Sequence, residues 1–494
     1  MKASYEWIKE FVDCKLSAEQ VSKVLTMGGL EVEEYEKIGK DVLFTFGITP
    51  NRSDCLSVRG LARELSAVSG AKLKKITPKI ISGKVKMAGQ LAVEVKDKTA
   101  CPRYSARIIN GVKIAPSPAW LVKKLAGCGV RSVNNVVDAS NLIMMETGQP
   151  LHAFDAGFVR GEKIVIKRAG RASSFKTLDG IERKLAKNDL IISDNKGPIA
   201  IAGVMGGENS EVNDDTSTLI LESAYFEPTT IRRTAKRLGL SSESSRRFER
   251  GVNPNATLDA LHRFTELVVE LAGGTASLDW IDKYPKKISP RKITLKKSTC
   301  NNLLGANLSM TQMVALLKRL DIKSIKKLAD STTFAIPTFR PDITAQVDLI
   351  EEIARIYGYE NIPELMPKIK MDPVIVPLTD QLQKRLEKLL VDVGYSETLL
   401  SSFVAEAEQD LFAEKKVEPV KVTNPLSKQQ SVMPISLLPS LLDALKLNQS
   451  HQSYDAKLFA LQRVYHRSLG AGLSKEPLRL AGAMMGRRSH GSWE

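Results

Sequence analysis

The sequence predicts an α+β protein of several domains. With 494 residues, the chain exceeds what a single hydrophobic core usually organises. Between about 90 and 280, short β-branched runs alternate with helical stretches, which is typical of a mixed α/β domain. A proline- and lysine-rich segment, 282–292, is predicted to be a linker. These observations divide the chain into domains at 1–75, 90–280, 290–362 and 375–494.

The first domain is predicted to be a helical/β domain. Residues 5–27 form two short amphipathic helices, the second opened by a capping box from Ser17 to Gln20 and closed by Gly28. Further on, SVRGLARELSAVSG is a helix that ends at Gly70. In the second domain the predicted strands are LAVEV, KIVIKR, LIISD, PIAIAGVMGG and TLILES.

The third domain is predicted to be a compact helical module with two strands, ITLKK and TTFAIP. A capping box from Ser309 to Gln312 starts one helix, and a carboxylate-bearing helix runs from about Asp342 to Tyr357. The last region opens with the helix DQLQKRLEKLLVDVG, continues in strands, and shows no visible closure of its domain.

The charge of the chain favours a polyanionic partner. Lysine and arginine outnumber aspartate and glutamate by 72 to 56, a formal charge of +16. Such a surplus promotes phosphate neutralisation and counterion release, so nucleic acid is the leading partner class and an anionic membrane surface the second. An evenly spread surplus that serves solubility remains the alternative.

The cysteines and the N-terminus predict a reduced, cytoplasmic protein. The five cysteines lie far apart and do not have the spacing of a zinc site. The N-terminus lacks the apolar stretch of a signal peptide, and no run of 18 apolar residues occurs.

Four long motifs carry a family resemblance. They are ITPNRSDCLSVRGLARE, NNVVDASNLIMMETGQPLHAFD, SSRRFERGVNP and FRPDITAQVDLIEEIARIYGYENIP. Together they resemble the bacterial phenylalanyl-tRNA synthetase β subunit, and NPLSKQQSVMPISLLPSLLDALKLN extends the resemblance over essentially the whole chain. Two departures stand out. The first is that ITPNR follows soon after Lys37, where the family usually carries an inserted oligonucleotide-binding barrel. The second is that the C-terminal anticodon-binding domain of the family is expected to be missing after SWE.

The resemblance implies an editing hydrolase site in the 90–280 domain. An apolar pocket for phenylalanine cannot strongly reject tyrosine, so misacylated Tyr-tRNA(Phe) needs a second, hydrolytic site. His152, Ser140 and Asn141 fall on the motif positions of that site, and His152 would orient a water as general base, a role suited to a pKa near neutrality. Without the family, a lone histidine is more often a structural residue.

Three further positions are implied to form the amino-acid pocket. Ala202 and Gly203 match positions that line it, although without the family a glycine turn after a strand is the favoured interpretation. Glu222 is expected to accept a hydrogen bond from the tyrosine hydroxyl, the alternative being a charge on an edge strand that faces water. No nucleophile pairs recognisably with a base, so direct attack by water is predicted.

A dense basic segment is a candidate surface for tRNA phosphates. It lies in IRRTAKRLGLSSESSRRFERG and contains Arg232, Arg233, Arg246, Arg247 and Arg250. A solvated helix face is an equally good interpretation.

Four carboxylates are a candidate Mg²⁺ site. Asp348, Glu351 and Glu352 share much of one helix face, with Asp342 near its start, and the family places magnesium at the matching positions, near the α-subunit contact. Compensation by the helix dipole and Arg355 is the alternative.

The chain is predicted to lack the synthetic site. The region from Leu378 has neither the phosphate-binding arginine strand nor the glycine-rich motif of a class II synthetase, and resembles the degenerate, antiparallel synthetase-like domain of the β subunit. The 290–362 module likewise resembles the DNA-binding-like module of the family. Charging of tRNA(Phe), with ATP used at the α site, would therefore require α, in a tetramer of two α and two β chains. A non-editing scaffold for α and a free-standing tRNA-binding or trans-editing protein are the alternatives.

Overall fold

The structure is a computed structural model that describes residues 1–87, 89–171, 173–366, 374–409, 412, 417–468 and 472–487. The chain divides into two compact units, Met1–Leu365 and Met366–Glu494. The fold is a mixture of helices and several sheets, as the sequence predicts. The sequence SWE, after which the anticodon-binding domain is predicted to be missing, lies outside the described residues.

The first unit begins with three helices and two small sheets. The helices are α1 (Tyr5–Phe11), α2 (Ala18–Met27) and α3 (Val58–Ser69), and the strands are β1 (Lys2–Ser4), β2 (Val12–Asp13), β3 (Val32–Ile38), β4 (Asp41–Phe46) and β5 (Lys72–Leu73). The two sheets have the orders β1-β4-β3 and β2-β5. The predicted helices are confirmed, including the capping box of Ser17 and Gln20 and the end of α3 at Gly70, which has a φ of +75°. Strands β3 and β4 form a hairpin in which Lys37 pairs with Val42.

Two five-stranded sheets follow. Their strands are β6 (Ala92–Val95), β7 (Arg103–Asn110), β8 (Leu151–Asp155), β9 (Lys163–Arg168), β12 (Leu190–Ser193), β13 (Pro198–Ile201), β14 (Met205–Gly206), β15 (Thr218–Tyr225), β16 (Thr275–Ala276) and β17 (Ile281–Lys283), with β10 (Ser173–Lys176) and β11 (Glu182–Leu185) forming a separate hairpin. One sheet has the order β16-β7-β15-β8 with β17 also on β7, and the other has the order β14-β13-β12-β9-β6. The five predicted strand runs are confirmed.

The sheet that contains β15 buries both of its faces, because successive side chains of a strand point to opposite sides. Leu219 and Leu221 pack in the core that also contains residues of the flanking helices α5 (Asn135–Thr147) and α8 (Thr257–Ala272). Ile220 and Ala224 pack in a second core, together with residues of β9, β12 and β13. The remaining helices of this region are α4 (Ala119–Gly127), α6 (Pro228–Leu238) and α7 (Glu243–Phe248).

The predicted linker at 282–292 is shorter in the structure. Asp282 belongs to β17, which pairs with β7, and it forms an ion pair with Arg103 at 2.9 Å. The next strand already begins at Arg291. Strand pairing and this ion pair therefore hold both ends of a segment whose composition alone indicates a linker.

The first unit ends with a small module. Its elements are β18 (Arg291–Lys296), α9 (Lys297–Leu304), α10 (Met310–Lys318), β19 (Lys323–Lys327), β20 (Ser331–Ile336) and α11 (Gln346–Tyr357), with sheet order β18-β20-β19. The capping box of Ser309 and Gln312 is confirmed. The predicted start of α11 at Asp342 is wrong: the helix begins at Gln346, because the carboxylate of Asp348 accepts hydrogen bonds from the backbone nitrogens of Thr344 and Ala345 and so caps the first turn.

The second unit contains a three-stranded sheet and helices. These are α12 (Leu378–Asp392), β21 (Ser396–Glu397), α13 (Glu406–Gln409), α14 (Leu438–Ser450), β22 (Ala456–Arg463) and β23 (Leu478–Met485). Strands β22 and β23 are antiparallel over eight residue pairs, whereas β21 pairs with β22 in parallel. Helix α12, predicted from its sequence, is confirmed.

Candidate functional site

A pocket with a cavity volume of about 100 Å³ lies between the two five-stranded sheets. His152 and Glu222 line it from one sheet, Ala200 and Ile201 from the other, and Phe248 from helix α7. The pocket is therefore apolar over much of its wall, with few polar side chains that converge on it, a composition common to sites for small ligands.

His152 and Glu222 are directly opposite each other on neighbouring antiparallel strands. The register of β15 against β8 pairs Glu222 with His152, and the register against β7 pairs it with Ala106. Opposed residues of an antiparallel pair have Cβ atoms about 4.5–5.5 Å apart. Glu222 thus lies on a central strand, with only 6% of its surface exposed, and the alternative of an edge-strand charge facing water does not hold.

The carboxyl group of Glu222 has a buried hydrogen-bond partner. The hydroxyl of Tyr104 donates to its Oε2 at 2.9 Å, and Tyr104 itself is fully buried. Burial raises the pKa of Glu222 to about 7, although the hydrogen bond from Tyr104 lowers it in part. A carboxyl group in this environment is partly ionised near neutral pH.

His152 is held as a neutral imidazole. Its ring lies edge-on to Phe154, with ring centroids 4.5 Å apart. Burial lowers the pKa of His152 to about 4, below the near-neutral value predicted for it. Its nitrogen lone pair is consequently free of a proton over the physiological pH range.

Two glycines of the pocket leave no room for a side chain. Gly203 has a φ of +68°, and a Cβ there would lie 3.0 Å from carbon atoms of both Phe226 and Phe248. At Gly206, a Cβ would lie 2.9 Å from Cε1 of His152. Both positions therefore need glycine for close packing against the pocket wall.

The pocket lining includes three of the predicted site residues, His152, Gly203 and Glu222, and not the other three. Ser140 lies on α5 and donates its hydroxyl to the backbone oxygen of Val137 at 2.7 Å. Asn141 follows it on the same helix, and Ala202 is buried without lining the pocket. Sequence reasoning missed Tyr104, Ser244 and Phe248.

The four predicted metal ligands do not form one open cation site. Arg340 donates to both carboxylate oxygens of Glu352, at 2.9 and 2.7 Å, and also to Asp342 at 2.8 Å. Asp348 caps helix α11, and Glu351 is exposed. Although burial opposes it, these hydrogen bonds and the charge of Arg355 hold the pKa of Glu352 well below its usual range. The residues present thus do not fit a resident Mg²⁺, because arginines already neutralise two of the four.

In the described part of the chain, one group of metal-ligating side chains is close enough to share an ion: Asp54, Cys55 and Glu64, with ligand atoms within 4.8 Å of one another. Arg52 pairs with Asp54 at 3.0 Å and with Glu64 at 2.5 Å, and it lies 3.0 Å from the Cys55 sulfur. Arginine therefore supplies the positive charge here as well.

The predicted basic surface is only partly on the surface. Arg232, Arg233 and Arg246 are exposed, and Arg250 is partly exposed. Arg247 is buried: it donates to the backbone oxygen of Leu56 at 3.1 Å and to Glu243 at 2.6 Å. The prediction that Arg247 contacts a phosphate is therefore corrected, because its guanidinium is already hydrogen-bonded to groups in the interior.

None of the helices in the described part of the chain has the length and apolar character needed to span a membrane.

Three domain families match the chain in sequence. The B3/4 domain matches residues 100–273, which contain the pocket residues, the tRNA synthetase B5 domain matches 293–359, and the phenylalanyl tRNA synthetase beta chain CLM domain matches 362–494. A solved N-terminal fragment of the phenylalanyl-tRNA synthetase β-subunit from Pyrococcus horikoshii aligns with 73% of this chain and 99% of the fragment, at 15% identity and a TM-score of 0.42.

Curated relatives match nearly the whole chain. The phenylalanine–tRNA ligase beta subunit of Geobacter metallireducens is 44% identical over 94% of this chain and 59% of its own length. That of Geobacter sulfurreducens is 43% identical over the same shares. The chain thus spans about three fifths of these relatives. From the order of the three domains and this identity, we conclude that the chain belongs to the phenylalanyl-tRNA synthetase β-subunit family.

Proposed function

We propose that this chain serves as a β subunit of phenylalanine–tRNA ligase, which supports ATP-dependent charging of tRNA(Phe) by an α subunit and hydrolyses misacylated Tyr-tRNA(Phe) in its own pocket. The observation that carries the hydrolytic part is the cross-strand pair of His152 and Glu222 in one pocket, within the B3/4 match. The similarity to phenylalanine–tRNA ligase beta subunits supports the proposed role in charging tRNA(Phe).

The chemistry proposed for the pocket is direct attack by water on the ester. His152, neutral above about pH 4, orients a water molecule towards the ester carbonyl and accepts its proton as the water oxygen attacks. As the bond from the carbonyl carbon to the ribose oxygen breaks, the imidazolium returns that proton to the leaving oxygen. In the described chain no hydroxyl or thiol is hydrogen-bonded to His152, and the nearby Ser244 donates instead to the backbone oxygen of Gly203 at 3.3 Å. This arrangement supports water as the nucleophile rather than a serine or cysteine.

Selection of tyrosine over phenylalanine is assigned to Glu222. A buried carboxyl group that accepts a hydrogen bond from a tyrosine hydroxyl is left unpaired when phenylalanine enters. Ala202, Ser140 and Asn141 remain proposed substrate contacts of the family and would need to approach the pocket when substrate binds.

The chain spans about three fifths of the length of these relatives. We propose the α subunit, in a tetramer of two α and two β chains, tRNA(Phe), and the cytoplasm as the location. The exposed arginines 232, 233 and 246, with Arg250, are the proposed tRNA contacts. ATP is proposed to act at the α site.

The test is release of tyrosine from Tyr-tRNA(Phe), with Phe-tRNA(Phe) as control, by this chain with and without α. Faster release of tyrosine, lost in His152→Ala, supports the editing function. If neither ester is hydrolysed even with α present, the proposed editing function is wrong and the chain is a non-editing scaffold for α. Co-purification with α separates both cases from a free-standing tRNA-binding or trans-editing protein.

A further inference from the structure

The two oxygens of the Glu222 carboxyl group have different surroundings. Oε2 accepts the hydrogen bond from Tyr104 at 2.9 Å, and no other described group donates to either oxygen. Glu222 also lines the pocket. Oε1 is therefore the oxygen that remains available to a ligand in the pocket.

Tyr104 is fixed by the fold and does not line the pocket itself. It is fully buried in the core between the two sheets, and in the register of β7 against β15 it is opposite Ala224, two residues from Glu222 on the same face. Side chains related in this diagonal way are within reach of each other when one of them is aromatic. The position of the Tyr104 hydroxyl thus depends on packing and not on a bound ligand.

Among the described residues, no competing charge surrounds Glu222. Besides Tyr104, the titratable groups near it are His152 on β8 and Cys101 just before β7. The facing sheet presents Ile192, Ala200 and Ile201 to the pocket, and α7 presents Ser244 and Phe248. Burial raises the pKa of the Cys101 thiol and lowers that of His152, so both groups are neutral at pH 7.

We propose that Tyr104 is a positioning residue for tyrosine selection, whose hydroxyl holds Oε2 of Glu222 so that Oε1 accepts a hydrogen bond from the phenolic hydroxyl of a tyrosyl ester. The inference rests on the proposed editing function and deepens it. Because the hydrogen bond from Tyr104 favours the ionised carboxylate, its loss affects both the orientation and the charge of the acceptor.

The test compares wild type with Tyr104→Phe, which removes only the hydroxyl. Deacylation of Tyr-tRNA(Phe) and of Phe-tRNA(Phe) is measured between about pH 5.5 and 8.5, with spontaneous hydrolysis subtracted. The matched control is Tyr225→Phe, because Tyr225 lies on β15 and its hydroxyl has no hydrogen-bond partner in the described chain. Circular dichroism verifies that each variant is folded.

In wild type, the ratio of kcat/KM for the tyrosyl ester to that for the phenylalanyl ester should rise as pH increases through about 7, as Glu222 ionises. In Tyr104→Phe the midpoint of that rise should move up by about one pH unit, with an approximately fivefold lower ratio at pH 7. Tyr225→Phe should behave as wild type.

A Tyr104→Phe variant that is folded and keeps both the wild-type ratio and the wild-type midpoint overturns the positioning role while leaving the editing function intact. A wild-type chain that clears neither ester with α present overturns the editing function, and the inference with it. The two failures are therefore distinguishable.

Discussion

Arg355 and Glu64 form a buried ion pair across 291 residues of sequence. The Nη1 of Arg355 donates to Oε2 of Glu64 at 2.6 Å, and the two side chains are 5% and 2% exposed. Glu64 lies on α3 and Arg355 on α11, so the pair joins the N-terminal helices to the small module. Arg52 and Glu352 extend it, at 2.5 Å each, into a network of charges. Removal of Glu64 would leave Arg52 with Asp54 and Arg355 with Glu352, so each buried arginine would lose one of its carboxylate partners.

The first prediction is that Glu64→Ala strongly destabilises the first unit. Removing one partner of a buried ion pair typically costs about 3–5 kcal/mol. Here the buried Arg52 and Arg355 would each lose part of the compensation for their charge. Denaturation by urea measures the change. The control is Glu208→Ala, which breaks the exposed pair with Lys176 and should cost no more than about 1 kcal/mol. Equal effects for the two variants would contradict the network as a source of stability.

The second prediction concerns the pH dependence of stability. The folded-state pKa of Glu222, about 7, lies above the unfolded value of 4.5, so the folded state binds the proton more tightly. The contribution is fully present below about pH 4.5 and is lost as pH rises through about 7, a loss on the order of 3 kcal/mol. Glu222→Gln removes this dependence. His152, whose pKa is lowered to about 4, contributes to the pH dependence with the opposite sign in both proteins. The change in unfolding free energy from pH 5 to pH 8 should therefore be more positive in Glu222→Gln than in wild type, and the same change in both proteins would disprove the raised pKa.

Local signals in the sequence predict the helices well. The capping boxes at Ser17 and Ser309 depend on residues three positions apart, and the end of α3 depends on Gly70 alone. The sequence misplaces the start of α11, because the side chain that caps the helix, Asp348, lies inside it and accepts a hydrogen bond from the backbone nitrogen of Thr344.

Long-range contacts are what the sequence does not predict. The family resemblance singles out His152 and Glu222, but the partner of Glu222 is Tyr104, 118 positions away, which only strand register brings to it. The alternation of apolar and polar residues in RYSARII is a weak signal that Tyr104 faces a core. Similarly, Arg340 stands in the same motif as the predicted metal ligands, yet its pairing with Glu352 depends on how the loop before α11 folds back.

The third prediction is that Gly203→Ala disrupts the pocket. The positive φ alone costs about 1 kcal/mol for a residue with a side chain, and the contacts of a Cβ with Phe226 and Phe248 add about 1–3 kcal/mol through overpacking. Gly180→Ala is the matched control, because Gly180 has a φ of +75° with no atom within 4 Å of a Cβ. Urea denaturation should therefore show a larger loss for Gly203→Ala, together with loss of tyrosine release. Equal losses would mean that backbone strain alone accounts for the effect.

The fourth prediction concerns tRNA binding by the exposed arginines. Arg232→Gln and Arg233→Gln each remove a charge that faces solvent, and each should reduce the slope of log affinity against log salt concentration by about one. Filter binding of tRNA(Phe) at several salt concentrations measures the slope. The exposed Lys388 of α12, which pairs with Asp392 at 3.1 Å, provides the control variant Lys388→Gln. A slope that is unchanged in both arginine variants would favour a solvated helix face.

The last prediction concerns the positive charge at helix α11. Since Arg340 pairs with both Glu352 and Asp342, it supplies the charge that a divalent cation would supply. We expect that neither EDTA nor millimolar Mg²⁺ changes the Tm of wild type, measured by differential scanning fluorimetry. In Arg340→Met the two carboxylates lose this partner, so the Tm should fall and should recover in part with Mg²⁺, whose preferred ligands are carboxylate oxygens. A Tm that drops in wild type after EDTA treatment would instead support the magnesium site predicted from the family.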